Sequence, residues 1–141
     1  MKVYISGKIG EEVISEATRQ KFARAEEMLK AKGFEVFNPT NEDWQTNLKL
    51  GYEKDKLLFQ PYIDGHIQDF CGYVLLRDLM ALSIKDAIYM LPDFLDSKGA
   101  KAEHAFAIAT GIQVYYADEL YHDGTLRGRS YDKNRLPEIA P

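Results

Sequence analysis

Four short apolar runs, separated by stretches long enough to cross back over a sheet, leave this chain few folds to choose from. Lys2–Ser6, Phe34–Phe37, Ala87–Leu91 and Ile112–Tyr116 are rich in strand formers, and Gly7, Asn38-Pro39 and Pro92 stop the first three. After the first run, Ile14, Ala17, Phe22, Ala25, Met28 and Leu29 mark the inner stripe of a helix that Gly33 ends. A second long helix is predicted from Tyr62 or Ile63 to Ser83, with Gly72 as a point where it can break. A third opens at Ser97 and Gly99 and closes at Gly111. Residues 40–61 are polar and aromatic, carry Gly51 and Pro61, and read as a long loop or lid with at most a short helix. The order β-α-β-α-β-α-β implies an α/β domain whose parallel sheet is covered by helices on both faces.

At 141 residues the chain is expected to form one domain, residues 1–117, with a polar C-terminal arm over 118–141. The net charge of −4 and the lack of a Lys/Arg run argue against a protein that tracks a nucleic-acid polymer, while a small anionic ligand stays open. The lone Cys71 excludes an intramolecular disulfide, and its neighbours Ile67, Phe70 and Val74 suggest a core position. Without a leader or long apolar run, a cytoplasmic protein with no membrane association is expected.

Ligands of open parallel sheets bind beyond the carboxyl ends of the strands. That rule selects Ser6–Gly10, Asn38–Thr40 and Pro92–Gly99, which would converge on one crevice. Ser6, Gly7, Lys8, Asn38, Pro39, Ser97 and Gly99 are therefore the candidate substrate-binding residues. Ser97 can cap the third helix and Gly99 lets its start approach a phosphate or carboxylate. Glu103 shares a helical face with Ala100, Phe106, Ala107 and Thr110, where a charge needs a task or a partner. Asp78 likewise interrupts the stripe of Val74, Leu75 and Leu82. Arg77 lies about 100° around the helix from it, so the two are not an obvious ion pair. Each acid has a second reading, local capping or surface pairing, and Tyr4 is either core packing or a hydroxyl donor at the crevice. Trp44, Tyr52 and Phe59 can stack on a base or pack the lid. Lys98 and Lys101 can attract an anion or simply face solvent. His66, His104 and His122 show no metal-ligand spacing, so no metal or other cofactor is expected.

The stretches "VYISGKIG", "FNP", "LLRDLMALSIKDAIYML" and "DSKGAKAEHAFAIATGIQVYY", spread over residues 1 to 116, resemble the nucleoside 2-deoxyribosyltransferase-like superfamily. The likeness is nearest to small members with a Tyr-Ile-Ser-Gly strand end and a Ser-x-Gly-Ala-x-x-Glu-His signature, here Ser97 to His104. The resemblance implies a Rossmann-like (flavodoxin-like) sheet of four or five strands. It also implies that Glu103 attacks the anomeric carbon of a deoxyribose, Asp78 assists departure of the base, and the Tyr4 hydroxyl holds the nucleophile ionised and aimed. Ser97-x-Gly99-x-x-x-Glu103 is similar to the 2'-deoxynucleoside 5'-monophosphate N-glycosidases, where the matching serine and glycine bind the 5'-phosphate. A nucleotide is thus favoured over a nucleoside, and hydrolysis over transfer. Members of the superfamily commonly pair so that one subunit completes the other's pocket, which implies a homodimer or higher homo-oligomer here. Two departures stand out. That branch has an arginine and extra glycines after its first strand, where this chain has Lys8-Ile9-Gly10 and then Glu11-Glu12. The transferases favour an acid where this chain has Ser97, with Asp96 one place earlier. A non-catalytic nucleotide sensor and a ribonucleotide or NAD-type glycohydrolase are the rival readings of the same crevice.

Overall fold

The computed structural model describes residues 1–10, 13–59 and 70–117. Its elements are β1 (Lys2–Ser6), α1 (Glu16–Ala31), β2 (Glu35–Phe37), α2 (Glu42–Phe59), α3 (Phe70–Ser83), β3 (Ala87–Met90), α4 (Lys98–Thr110) and β4 (Gln113–Tyr116), with a 3-10 turn at Phe94–Asp96. Every strand pair is parallel, in the order β2-β1-β3-β4. The chain steps outward from β1 to β2, then reverses to β3 and β4. This is the flavodoxin-like order, and in sheets of this order ligands bind at the reversal, beyond the carboxyl ends of the strands, here β1 and β3.

Period-two alternation sorts the side chains of β1. Val3 and Ile5 join Phe22, Ala25 and Leu29 of α1 on one face. On the other face Tyr4 joins Ile88, Met90, Val114 and Tyr116, closed over by Leu82 of α3 and by Ala100 and Ala107 of α4. The helix boundaries follow their local chemistry. The Ser15 side chain accepts the Thr18 N–H at 3.2 Å to start α1, and Gly111, in the left-handed region at φ 78°, ends α4.

The sequence reading of 40–61 as a loop or lid is corrected by α2, an 18-residue helix. Among the described side chains of α2 only Leu48 is buried, so the helix lacks the apolar stripe that periodicity detects. It docks on α3 through polar groups instead. The Tyr73 hydroxyl donates to Asp55 Oδ2 at 2.9 Å and receives Arg77 Nη1 at 2.6 Å. Gly51 makes room for them, since a Cβ there would lie 2.5 Å from the Tyr73 hydroxyl. Tyr52 packs against Phe70 and Tyr73.

Helix α3 runs unbroken through Gly72, and its expected start at Tyr62 or Ile63 lies outside the described residues. Cys71 is exposed, not in the core as expected, because it sits on the first turn ahead of Tyr73, the first residue that α3 buries. The arm over 118–141, with His122, and His66 also lie outside the described residues. No helix among the described residues is long and apolar enough to cross a membrane.

Candidate active site

Helix α4 buries Ala100, Glu103 and Ala107, which its 3.6-residue period places on one face. The small alanines let the helix lie close to the sheet and carry the Glu103 carboxyl beneath β1. Tyr4 and Ser6, two residues apart on β1, face it together. The Tyr4 hydroxyl donates to Oε2, and Ser6 Oγ donates to Oε1 at 2.9 Å. Each oxygen therefore has its own donor, and the residue is only 6% exposed. Tyr4 is fixed in turn by stacking on Phe37, with ring centroids 5.1 Å apart.

Asp78, 8% exposed, is buried by α3 along with Tyr73 and Leu82. Its Oδ1 accepts the indole N–H of Trp44, on α2, at 3.0 Å. Arg77 makes no ion pair with it and lies over the Trp44 ring instead, 5.6 Å from the centroid.

Two buried carboxyls in one site resist ionising together. Burial raises the Asp78 pKa from 3.8 to about 7, against the pull of the Trp44 hydrogen bond and the Arg77 charge. Burial and then the Asp78 charge raise Glu103 from 4.5 to about 8. The hydrogen bonds from Tyr4 and Ser6 favour the Glu103 carboxylate without overcoming those two effects. The Tyr4 bond acts in the direction expected of it, toward the carboxylate, while burial acts more strongly the other way. Burial and the neighbouring acids also raise the Tyr4 hydroxyl well above its usual range, so it stays a donor. Between about 7 and 8 the pair holds roughly one proton.

The remaining candidates surround this centre. Gly7 is packed so tightly that a Cβ would fall 2.7 Å from Leu91 Cδ1, drawing the loops after β1 and β3 together. The Lys8 backbone N–H donates to Asp93 Oδ1 at 3.0 Å, and Lys21 joins the Lys8 carbonyl at 2.8 Å to Asp93 Oδ2 at 2.5 Å. The Lys8 side chain is exposed, as are Lys98 and Lys101. Ser97 caps α4, its Oγ accepting the Ala100 N–H at 3.1 Å, and a Cβ on Gly99 would meet nothing closer than Ser97 Oγ at 3.9 Å. Asn38 is committed elsewhere. Its amide donates to Glu26 at 3.0 Å, and its Oδ1 accepts from the Thr40 backbone and hydroxyl. Pro39 is buried, with its carbonyl taking the Gln45 amide at 2.6 Å. His104 meets the Tyr116 hydroxyl at 2.8 Å, and no group of three His, Cys, Asp or Glu among the described residues is placed to hold a metal.

Sequence reasoning missed the Trp44–Asp78 bond and the direct hold of Ser6 on Glu103. The signals were present. Asn41 before Glu42-Asp43 is a helix-start pattern, and in the structure Asn41 Oδ1 accepts the Asp43 and Trp44 N–H groups. Ser6 stands two places from Tyr4 on a strand and so must share its face.

Residues 1–116 match the family described as "Domain of unknown function (DUF4406)". The chain belongs to this family. A search of curated proteins returns no match. Among solved structures, the DUF4406 fold is similar to that of a 2-deoxyribosyltransferase from the psychrotolerant bacterium Bacillus psychrosaccharolyticus, described as a biocatalyst for synthesis of antiviral and antitumoral nucleosides. The identity is 13% and the TM-score 0.52, with 99% of this chain and 100% of that one covered. At that identity the likeness establishes a shared fold.

Proposed function

We propose that this DUF4406 protein cleaves the N-glycosidic bond of a 2'-deoxynucleoside 5'-monophosphate, with Glu103 as nucleophile. The observation that carries this reading is the buried Glu103 carboxyl, gripped by Tyr4 and Ser6 and within electrostatic reach of a second buried acid, Asp78. The reacting form is the less populated of the two one-proton arrangements, with Glu103 ionised and the proton on Asp78. A Glu103 oxygen bonds to C1' as the C1'–N bond breaks, and its electron pair goes to the base nitrogen, which takes the Asp78 proton. Water then adds to C1' of the glycosyl ester. Asp78 accepts the water's proton, and Glu103 leaves as a carboxylate. Tyr4 and Ser6 keep the attacking group aimed throughout.

The start of α4 supports a phosphate at the other end of the sugar. Lys98 to Glu103 spans roughly 7–8 Å of helix, comparable to the reach from a 5'-phosphate to the anomeric carbon. The capped N-terminus at Ser97 and the open space at Gly99 suit an anion there, with Lys8 to add charge. Transfer to a second base is the alternative fate of the same ester, and the 2-deoxyribosyltransferase fold match favours keeping it in view.

The test is free-base release, by chromatography, from deoxynucleoside monophosphates and the matching deoxynucleosides, alone and with an acceptor base. Release from monophosphates that vanishes in Glu103→Ala is the expected result. No release from any member by the folded wild-type protein overturns the reading.

A further inference from the structure

Among the described side chains of α2 none hydrogen-bonds Glu103, yet one of them is built into the second acid. Trp44 reaches Asp78 Oδ1 with its only polar atom. Its ring is held from two directions: edge-on by Phe37, at 5.0 Å and 81°, and by the Arg77 guanidinium 5.6 Å from the centroid. Arg77 is itself anchored to the Tyr73 hydroxyl, which is bonded back to Asp55 on α2. Phe37 also stacks on Tyr4, the donor to Glu103. A continuous line of rings, Tyr4–Phe37–Trp44, thus runs from the clamp on one acid to the clamp on the other. Meanwhile Asp78 Oδ2 has no hydrogen-bond partner among the described residues, although Asp78 is more than nine-tenths buried. A buried carboxyl oxygen without a partner is unfavourable unless a ligand supplies one.

We infer that Trp44 is the positioning residue of Asp78: its indole N–H occupies Oδ1, confines the carboxylic proton to Oδ2 and turns that oxygen to the departing base. An indole N–H can only donate, so Oδ1 is an acceptor whether the acid is neutral or ionised. When Asp78 gives its proton from Oδ2 to the base nitrogen, the charge left behind is met by a hydrogen bond already in place. The charged and titrating groups facing Asp78 are Glu103 from α4, Tyr4 from β1 and Arg77 on its own helix. The role in base departure rests on the proposed N-glycosidase activity; the positioning itself does not.

Trp44 is the chain's one tryptophan, so its indole gives a single 1H–15N cross-peak that reports the bond in the wild-type protein. The expected result is a pH-dependent movement of that peak with an inflection near the Asp78 value of about 7, abolished in Asp78→Asn. A peak that does not move across this range overturns the inference. In Trp44→Phe, which keeps a ring against Phe37 and Arg77, the 13C titration of the Asp78 carboxyl is expected to move up by about one pH unit. An unchanged midpoint overturns the inference. For activity, Trp44→Phe should slow first-turnover release of an ordinary base about 10- to 100-fold, yet leave unchanged the first-turnover burst of 4-nitrophenol from its 2-deoxyriboside 5-phosphate, a step in which the phenolate departs without a proton and before Asp78 acts on water. Equal losses on both would mark Trp44 as merely structural. If the NMR shifts appear while wild-type protein releases no base, the positioning stands and the N-glycosidase reading fails.

Discussion

The buried acid pair should make the protein less stable as pH rises, and Glu103→Gln should remove much of that dependence. Glu103 ionises at about 8 in the folded chain against 4.5 as its ordinary value. Below the lower value both states hold the proton and nothing is lost. Above it the unfolded chain releases its proton first, so stability falls steadily until the folded pKa is passed. At 1.36 kcal/mol per pH unit, the full interval sets a ceiling of roughly 5 kcal/mol, of which roughly 3 kcal/mol falls between about pH 5.5 and pH 9. Glutamine keeps the shape and removes the charge. Its amide can accept from one of the Tyr4 and Ser6 hydroxyls and donate to the other, so no polar atom is left unsatisfied. Urea unfolding of both proteins across that range is the assay. The advantage of Glu103→Gln over wild type should grow by roughly 3 kcal/mol from the acid to the alkaline end. Parallel curves would refute the assignment of Glu103 as a buried carboxyl that resists ionisation.

The same pair should set the pH dependence of the proposed base release. Below about 7 the doubly protonated site lacks a nucleophile, and above about 8 it lacks the acid's proton, so kcat/KM should trace a narrow bell between those values; a plateau reaching well into acid would contradict it. Asp78→Asn should lower kcat for ordinary bases by about 10²–10⁴-fold while monophosphate binding, read by calorimetry, persists; wild-type turnover would remove Asp78 from the scheme. Gly7→Ala places a Cβ 2.7 and 2.9 Å from Leu91 and should destabilise by about 1–3 kcal/mol in urea, whereas a neutral effect would show that the two loops can separate freely. Ser97→Ala should cost about 1 kcal/mol by thermal unfolding while Ser97→Asp retains the cap, and equal losses would rule out capping as the cause.

The parts of this structure legible in the sequence are those that apolar period and turn residues encode. All four strands appeared within a residue of their observed bounds, and Gly111, Gly33 and Ser97 closed or opened the expected helices. Helix α2 was not legible because its attachment is chemical rather than apolar: Trp44 to Asp78, Asp55 to Tyr73, and a bare Gly51 between them. Partners so distant in sequence leave no periodic trace. Tyr4, Asp78 and Glu103 were each ambiguous alone, since an acid on an apolar stripe can pair locally. Their meeting depends on β1 lying between β2 and β3 with α3 and α4 on one face, a tertiary fact. Asn38 illustrates the converse. Its place after β2 points to the strand ends, but its side chain folds back on Thr40 in a local turn and reaches Glu26 on α1.

The unfavourable electrostatics of the site and its proposed chemistry have a common origin. Ionising Glu103, kept from water beside a second acid, raises the free energy of the folded chain, and no cation among the described residues pairs with it. A deoxyribose losing its base develops positive charge at C1' next to that carboxylate. The interaction is absent in the free protein, weak with a neutral sugar and strongest at the transition state, which is the order that lowers a barrier instead of merely tightening binding. The donors that limit the penalty, Tyr4 and Ser6, lie on a central strand paired on both sides, so they hold their direction as charge moves from Glu103 into the new ester bond. A nucleophile on a mobile loop could shed its unfavourable burial by turning to water. Held on α4 beneath β1, Glu103 cannot turn to water, and only a proton or a positive charge developing beside it relieves the cost of its ionisation.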